Sequence, residues 1–432
     1  MKPILTFFAA FLVMVTAASG HPVDRDSAKA VGTRFMNTCD LEFVKSYNLA
    51  DGTAALYVFN AENGFVVVSA DNRATPILAY SKDGRFEEGS IPSQMQGYLN
   101  AFVEQIQYAV DNHIVADEQI ARRWERAITT GYGSNRKDAE GVGPLITSQW
   151  NQNYPYNMMC PEEDGGPGGH DLAGCTATAM AQVMRYWGYP QTGQGSYGGI
   201  DFENTTYQWE NMFDMIDRWS DIDEIMPIAT LLWHCGVTLD MEYGIYVSNA
   251  AINQVPEALV TYFKYSPDMT FEYRDIWGDP IYTDEEWFAK VKASLDLGRP
   301  LVYGSFVDGT TDMGHIFVCD GYDADSMLHM NWGWGGSGDG FFALGALTGG
   351  GYGFNTCNCA VFNIHPEETV DPEPPVGIKE VEEASEVVSR EVYDILGHRA
   401  DELYKTGRPG VYIIRDMMRS GKVVAKKSVI AR

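Results

Sequence analysis

The sequence predicts an α+β protein built from several folded units, and three observations support this prediction. Its 432 residues are roughly three times the length of an average domain of about 150 residues. A content of 45% hydrophobic, 12% aromatic and 21% charged residues is typical of a folded globular protein. Helical and strand-like patterns follow one another along the chain and are interrupted by two polar stretches. We therefore expect folded units joined by linkers.

The net charge limits the range of functions. The chain has 31 Lys and Arg residues against 59 Asp and Glu residues, a formal charge of −28. Clustered cations bind phosphate backbones, so we expect no nucleic-acid binding by the bulk of the chain. The basic residues near the C terminus are explained by a solvated sheet face.

The first 20 residues have the three parts of a signal peptide. Lys2 supplies a positive start, residues 4–15 are apolar, and small residues occupy positions 17–20. A membrane anchor is the alternative, but a spanning helix needs roughly 20 apolar residues and this run is shorter. No later stretch is a transmembrane candidate. The sequence predicts export, with the protein secreted or associated with the cell surface.

Residues 21–137 are predicted to form an α+β module without catalytic residues. Its helix and strand patterns cover residues 28–36, 55–60, 64–68 and 94–115. A polar stretch at 131–143 follows, and its basic pair, Arg136 and Lys137, suits a cleavable linker.

Two further units follow the polar stretch. Residues 138–365 form a central body rich in aromatic residues and glycine. The segment 366–378 begins with PEETVDPEPPV, whose prolines and acids predict an extended linker. Strand-like runs at 387–395, 410–415 and 423–430 predict a small β-sandwich over residues 379–432.

Cys175 is the strongest candidate for chemistry. It stands at the start of a helix-forming run, in which Met180, Val183 and Met184 have the spacing of a buried face. Free backbone N–H groups and the positive end of the helix dipole favour the thiolate, which is the nucleophilic form. A buried, inert cysteine is the alternative at this point.

His315 is the candidate base, 140 residues after the cysteine, in a predicted strand at 314–322. The next predicted strand ends at Asn331, whose side-chain oxygen would accept a hydrogen bond from the imidazole and fix its tautomer. Trp332 and Trp334 would shield that bond from water. Core packing is the alternative for the histidine and for both tryptophans.

Five segments of the central body resemble the signature blocks of the streptopain family of papain-like cysteine peptidases. They are WNQNYPYN at 150–157, GCTATA at 174–179, MEYG at 241–244, GHIFV at 314–318 and HMNWGWGG at 329–336. A run at 55–80, which contains GFVVVSAD, extends the resemblance into the N-terminal module. Agreement of several blocks in the same order is highly specific.

The resemblance implies a papain-like fold, in which a helical part carries the cysteine and a twisted antiparallel sheet carries the histidine. It implies Cys175 as the nucleophile and His315 as the general base and then acid. Gln152 would donate to the oxyanion beside the Cys175 backbone N–H, with Gln149 as an alternative donor.

The resemblance also implies roles for further site residues. Asn331 and Trp332 match the family's orienting and shielding positions. The implied substrate-binding residues are Trp334, Val247, Ser248 and Gly314. Residues 247–250 depart from the family's Ser/Gly-rich run, so the subsite preference stays open. The resemblance implies no metal ion and no organic cofactor.

The flanking segments are also assigned by resemblance. Residues 21–137 are similar to the family's inhibitory prodomain, which implies a zymogen cut near Lys137. The C-terminal segments YDILGH at 393–398 and GVYIIR at 410–415 resemble sorting domains of the type IX secretion system. Secretion machinery is therefore an implied partner.

The predicted function is that of a secreted endopeptidase, inhibited by its prodomain, that hydrolyses protein and peptide substrates through a thioester acyl-enzyme. A thiol acyltransferase or transglutaminase-like enzyme would use the same side chains and pass the acyl group to an amine. A non-catalytic surface adhesin would share the signal peptide and the sorting domain.

Overall fold

A computed structural model describes most of the chain. The described ranges are 20–38, 40–129, 141–276, 279–306, 314–347, 357–367, 387–394, 399–401, 405–406, 408, 410–418 and 423–430. The predicted signal peptide up to residue 19, the pair Arg136 and Lys137, and the predicted linker beyond residue 367 lie outside these ranges. The chain divides into two compact units, Met1–Val370 and Asp371–Arg432, which are described separately.

The first unit is organised around one large antiparallel sheet. Its strands are β1 (Glu42–Asn48), β2 (Ala54–Asn60), β3 (Phe65–Ser69), β4 (Ile77–Ser81), β5 (Ser196–Tyr197), β6 (Ile200–Asp201), β7 (Thr270–Tyr273), β8 (Asp275–Ile276), β9 (Asp279–Pro280), β10 (Leu301–Phe306), β11 (Gly314–Tyr322), β12 (Leu328–Asn331), β13 (Gly340–Phe342) and β14 (Cys357–Phe362). The large sheet has the order β1-β2-β3-β4-β13-β12-β11-β10-β14-β7, and β5-β6 and β8-β9 form two short ribbons.

Helices flank the sheet. Those within the described residues are α1 (Arg25–Met36), α2 (Ser93–Asp111), α3 (Glu118–Thr129), α4 (Cys175–Trp187), α5 (Ile222–Thr238), α6 (Val255–Phe263) and α7 (Asp284–Asp296). The helix predicted at 94–115 is α2, and the strands predicted at 55–60 and 64–68 are β2 and β3. Local sequence explains helix starts such as that of α7, where Thr283 and Glu286 form a reciprocal capping box.

The sheet separates two hydrophobic cores. Because successive side chains of a strand point to opposite faces, Phe317 of β11 lies in one core and its neighbours Ile316 and Val318 lie in the other. The first core also contains Tyr98 of α2, and the second contains the apolar side of α4. Burial on both faces explains why β11 reads as a nearly continuous apolar run.

The N-terminal module and the central body share this sheet. Strand β4 of the module pairs with β13, with Tyr80 opposite Phe341. The two rings stack with centroids 5.0 Å apart, and the Tyr80 hydroxyl donates to Asp323 Oδ2 at 2.9 Å. The boundary predicted near residue 137 therefore separates two parts of one compact unit.

The second unit contains the three predicted strands, β15 (Val387–Asp394), β16 (Gly410–Met418) and β17 (Val423–Ile430). They form one antiparallel sheet in the order β15-β16-β17. A sandwich needs two sheets, and the described residues form this one, so the sandwich over residues 379–432 stays a prediction. Among the described helices of the whole chain, none has the length and apolarity to cross a bilayer.

Candidate active site

Helix α4 begins at Cys175, as the sequence predicts. The preceding Gly174 has φ 87°, which favours glycine, and a Cβ there would lie 2.7 Å from the Met241 side chain. The Cys175 thiol accepts a hydrogen bond from the backbone N–H of Ile316. Since Ile316 follows His315 in β11, the start of the helix meets the strand that carries the histidine.

The imidazole of His315 contacts the N-terminal module. Its Nε2 lies 3.3 Å from the hydroxyl oxygen of Ser93, the first residue of α2. No other described residue forms a side-chain hydrogen bond with His315. The predicted base is therefore held by a residue that sequence reasoning placed in a module without chemistry.

The start of α2 lies against a glycine-rich loop of the central body, residues 333–340. The Ser337 hydroxyl donates to the Ser90 carbonyl at 2.9 Å. Gly338 approaches Met95 so closely that a Cβ there would lie 2.5 Å from the Met95 sulfur. The module therefore covers the site from His315 to this loop.

Burial shifts the pKa values of the two candidate catalytic groups so that it favours their neutral forms. It raises the pKa of the Cys175 thiol, although the Ile316 N–H acts in the opposite direction. Burial also lowers the pKa of His315. The thiolate expected from the helix dipole is therefore disfavoured in this covered state, because desolvation outweighs the effect of the helix start.

Gln152 lies beside the segment that leads into α4. Its carbonyl accepts from the Ala173 N–H at 3.0 Å, two residues before Cys175. The residue is 7% exposed, and among the described residues none accepts a hydrogen bond from its side chain. The alternative, Gln149, has its side-chain amide against Gly336 in the glycine-rich loop.

Asn331 ends β12, as predicted, but its amide does not meet His315. Its Oδ1 accepts from Gln182 Nε2 at 3.0 Å and from the Gly333 N–H at 3.1 Å. Its Nδ2 donates to the Ser148 carbonyl at 2.8 Å. A carbonyl oxygen has two lone pairs, and both are used here. In this covered state the predicted orienting bond is replaced by these contacts.

The two tryptophans occupy different environments. Trp332 is fully buried, and its ring lies 4.6 Å from that of Phe317, two residues after His315 in β11. Its Nε1 donates to the Gly338 carbonyl at 2.9 Å. Trp334 is half-buried, and its buried Nε1 has no acceptor among the described residues.

The remaining predicted substrate positions lie on two segments. The Ser248 hydroxyl is buried and donates to the Leu172 carbonyl at 2.7 Å, so it holds its own loop. Val247 is exposed, as is Tyr246, which the sequence reasoning missed. Gly314 begins β11 opposite Phe306 of β10. The Thr176 hydroxyl donates to the Ala250 carbonyl at 2.8 Å, which ties this loop to the start of α4.

Comparison with known proteins decides the family. The profile of the peptidase C10 family matches residues 150–342, and that of the Spi protease inhibitor matches residues 20–106. Streptopain of Streptococcus pyogenes serotype M1 is 31% identical over 379 residues, which are 80% of this chain and 89% of streptopain. The chain belongs to the peptidase C10 family. The predicted cysteine peptidase with an inhibitory prodomain is confirmed at the level of the family.

Two further relatives agree with the C10 assignment. The structure of a Prevotella intermedia prointerpain A fragment has a TM-score of 0.58 and 31% identity, and the match covers 74% of this chain and 97% of the fragment. The thiol protease/hemagglutinin PrtT of Porphyromonas gingivalis is 27% identical over 403 residues. That match covers 86% of this chain and 45% of PrtT, so the C10 chain spans less than half of this relative.

Two residues at the C10 site escaped sequence reasoning. Ser93 starts a helix that the amphipathic pattern does predict, but its contact with His315 spans 222 residues of sequence. The sequence pattern predicts Gln182 only as one more residue of the helix after Cys175. Its signal was present, since seven residues bring it back to the face of the helix that carries Cys175. In the described part of the chain, no group of three or more His, Cys, Asp or Glu side chains could hold a metal ion.

Proposed function

We propose that the mature protein is an endopeptidase in which Cys175 is the nucleophile and His315 the general base and acid. The Cys175 thiol at the start of α4, bonded to the N–H that follows His315, carries this proposal. His315 takes the thiol proton as sulfur attacks the peptide carbonyl, and returns it to the amine when the C–N bond breaks. Water then hydrolyses the thioester with His315 as base, which regenerates the thiol.

The oxyanion is assigned to two donors, the Cys175 backbone N–H and the Gln152 side-chain amide. The support is the bond from the Ala173 N–H to the Gln152 carbonyl, which joins Gln152 to the segment that leads into Cys175. The loss of one such donor lowers kcat by about 10²- to 10³-fold. Trp332 is assigned to shielding His315 once the prodomain has left. Asn331, whose Oδ1 already accepts two hydrogen bonds, is assigned to holding the end of β12 and not to a direct bond with the imidazole. Trp334, Val247 and Gly314 are assigned to the substrate groove, together with the loop that Ser248 holds.

Latency is assigned to the prodomain, residues 21–137. Its support is the contact of Ser93 with His315 and the burial that favours the neutral forms of thiol and imidazole. A cut near Lys137, followed by departure of the prodomain, would free His315 to turn towards Cys175.

A substitution at Cys175 tests the enzyme assignment. Full-length wild type, Cys175→Ala and Cys160→Ala are incubated with a denatured protein under reducing conditions, and all fragments are followed by mass spectrometry. Cys160 is buried and has no assigned role, so its variant controls for the loss of a thiol elsewhere in the fold. We expect substrate fragments and a new N terminus near Lys137 from all but Cys175→Ala. Activity retained by Cys175→Ala would refute the assignment.

Export is assigned to the two ends of the chain. Residues 1–20 would act as the signal peptide, and residues 379–432, joined to the catalytic domain 138–365 by the linker 366–378, would address the protein to secretion machinery. The support is the sequence pattern of both ends. Deletion of 379–432 should keep the active enzyme inside the producing cell, measured by activity in medium and cell fractions. Equal release of both forms would refute this role.

A further inference from the structure

The side chain of Gln182 joins three segments that meet at the active site. It lies on α4, seven residues after Cys175, so the two residues share one face of the helix. Gln182 is fully buried, with 0% exposure. A buried amide without hydrogen-bond partners costs free energy of folding. The partners of this residue therefore indicate its role in the core.

The Gln182 amide belongs to a closed ring of hydrogen bonds. Its Oε1 accepts from the Trp150 N–H at 3.1 Å and from the Ser148 hydroxyl at 3.1 Å. Its Nε2 donates to Asn331 Oδ1 at 3.0 Å. Asn331 Nδ2 donates to the Ser148 carbonyl at 2.8 Å, which closes the ring. The ring thus connects α4, the segment before Gln152 and the end of β12.

Backbone groups allow the ring only one arrangement. The N–H groups of Trp150 and Gly333 can only donate, so the oxygen of Gln182 must face the first and the oxygen of Asn331 the second. A flip of either amide would set its NH₂ group against a backbone N–H. The orientation of both side chains is therefore fixed by the main chain around them.

We propose that Gln182 is a positioning residue that fixes the three catalytic segments relative to one another. Through the ring it sets α4 with Cys175, the segment ahead of Gln152, and Asn331 in one geometry without touching a reacting atom. The proposal rests on the proposed function, since the roles of these residues are assigned there. Displacing a reacting group by about 1 Å typically costs about 100-fold in rate, so loss of the ring should appear mainly in kcat.

The first variant is Gln182→Met, which keeps the length of the side chain and removes all three hydrogen bonds. The enzyme is matured from the full chain with trypsin, and active sites are counted with a thiol-reactive peptide inhibitor. We expect kcat per active site to fall by about 10- to 100-fold while KM changes less than about threefold. Gln194→Met is the matched control, because the Gln194 amide donates to the Val260 and Thr261 carbonyls outside the ring. Its kcat should stay within about twofold of wild type.

The second variant, Gln182→Glu, separates positioning from packing. An ionised carboxylate cannot donate to Asn331 Oδ1, whereas a protonated one has the donor in nearly the same place. The ratio of its kcat to that of wild type should therefore rise as pH falls from about 8 to about 5, because burial raises the pKa of the introduced acid. Measurements at a temperature at which both proteins are folded remove the contribution of unfolding.

The outcomes are separable. A kcat for Gln182→Met within about twofold of wild type, or a ratio for Gln182→Glu that does not change with pH, would overturn the role of Gln182. If Gln182→Met does not fold, the pH series of Gln182→Glu decides. Activity of Cys175→Ala would refute the proposed function itself, whereas an inactive Cys175→Ala together with a normal Gln182→Met refutes only this inference.

Discussion

The two faces of β11 hold the active site in different ways. On the face towards α4, the buried amides of Gln182 and Asn331 join parts of the catalytic domain to one another. On the other face, Ser93 of the prodomain meets His315 at 3.3 Å. The first set of bonds remains when the prodomain leaves, whereas the second is lost. Loss of the prodomain can therefore remove latency without disturbing the hydrogen bonds that position the catalytic segments.

The largest expected effect concerns an acid on the prodomain side of the site. Asp339 accepts a hydrogen bond from the Trp332 N–H at 2.8 Å, and burial raises its pKa to about 7. Between about pH 4 and pH 7 the folded zymogen holds a proton that the unfolded chain has released, so the free energy of unfolding falls as pH rises. Asp339→Asn should flatten this slope. The pH-dependent change in the free energy of unfolding that it removes between these pH values is at most about 4 kcal/mol.

Urea unfolding at several pH values measures this slope, with Cys175→Ala as the background that prevents self-cleavage. In Asp339→Asn, the free energy of unfolding should still fall with rising pH because of His329. Burial lowers its pKa, but Asp320 at 2.6 Å raises it more, so its stabilising effect is present below about pH 6.5 and is lost as pH rises further. Identical slopes with and without Asp339 would contradict the assignment.

A smaller effect is expected where β4 of the prodomain pairs with β13 of the catalytic domain in their shared sheet. Tyr80→Phe removes the hydroxyl that donates to Asp323, a bond of about 1.5–3 kcal/mol if the carboxylate is charged. The zymogen should then mature roughly tenfold faster or more, measured as the rate at which the new N terminus forms. Tyr57→Phe, the same change in β2, is the control and should mature at the wild-type rate. Equal rates for all three proteins would show that this bond does not restrain the prodomain.

The reactivity of Cys175 tests the neutral state of the covered site. Because burial raises the pKa of its thiol, little thiolate is present in the zymogen near pH 7. Alkylation by iodoacetamide, followed by intact mass, should be at least about tenfold faster after maturation, since a lower pKa increases the thiolate fraction. A zymogen that is alkylated as fast as the mature enzyme would mean that the prodomain does not suppress the thiolate.

The smallest effect is expected for Ser93→Ala. A neutral hydrogen bond contributes about 1 kcal/mol, so the fraction of zymogen with a free His315 should rise roughly fivefold. The measurement is cleavage of a small peptide by zymogen whose own maturation is blocked at Lys137. Ser46→Ala in β1 is the matched control. If the Ser93 variant is no more active than this control, latency comes only from the prodomain covering the site, and the bond to His315 does not contribute.

The sequence predicts the parts of the site better than their connections. The helix start at Cys175, the strand of His315 and the helix α2 follow from local patterns and appear where predicted. The bond between Ser93 and His315 joins residues 222 apart, and no local pattern encodes it.

The protonation of Cys175 depends on the same tertiary contacts. The helix dipole is a local property and predicts a thiolate, whereas desolvation in the folded protein opposes it and raises the pKa of the thiol. Gln182 shows the intermediate case. Its position on the helix face is readable from the sequence, but its partners at Ser148 and Asn331 come from two other segments of the fold.

The pairing of β4 with β13 has a consequence for the mature enzyme. When β4 leaves with the prodomain, β13 becomes an edge strand of the remaining sheet. Exposed edges can recruit strands from other molecules and so promote aggregation. β13 spans only Gly340–Phe342, and a strand of three residues offers few backbone groups for such pairing. Activation thus uncovers the catalytic cleft while leaving a short edge that disfavours self-association.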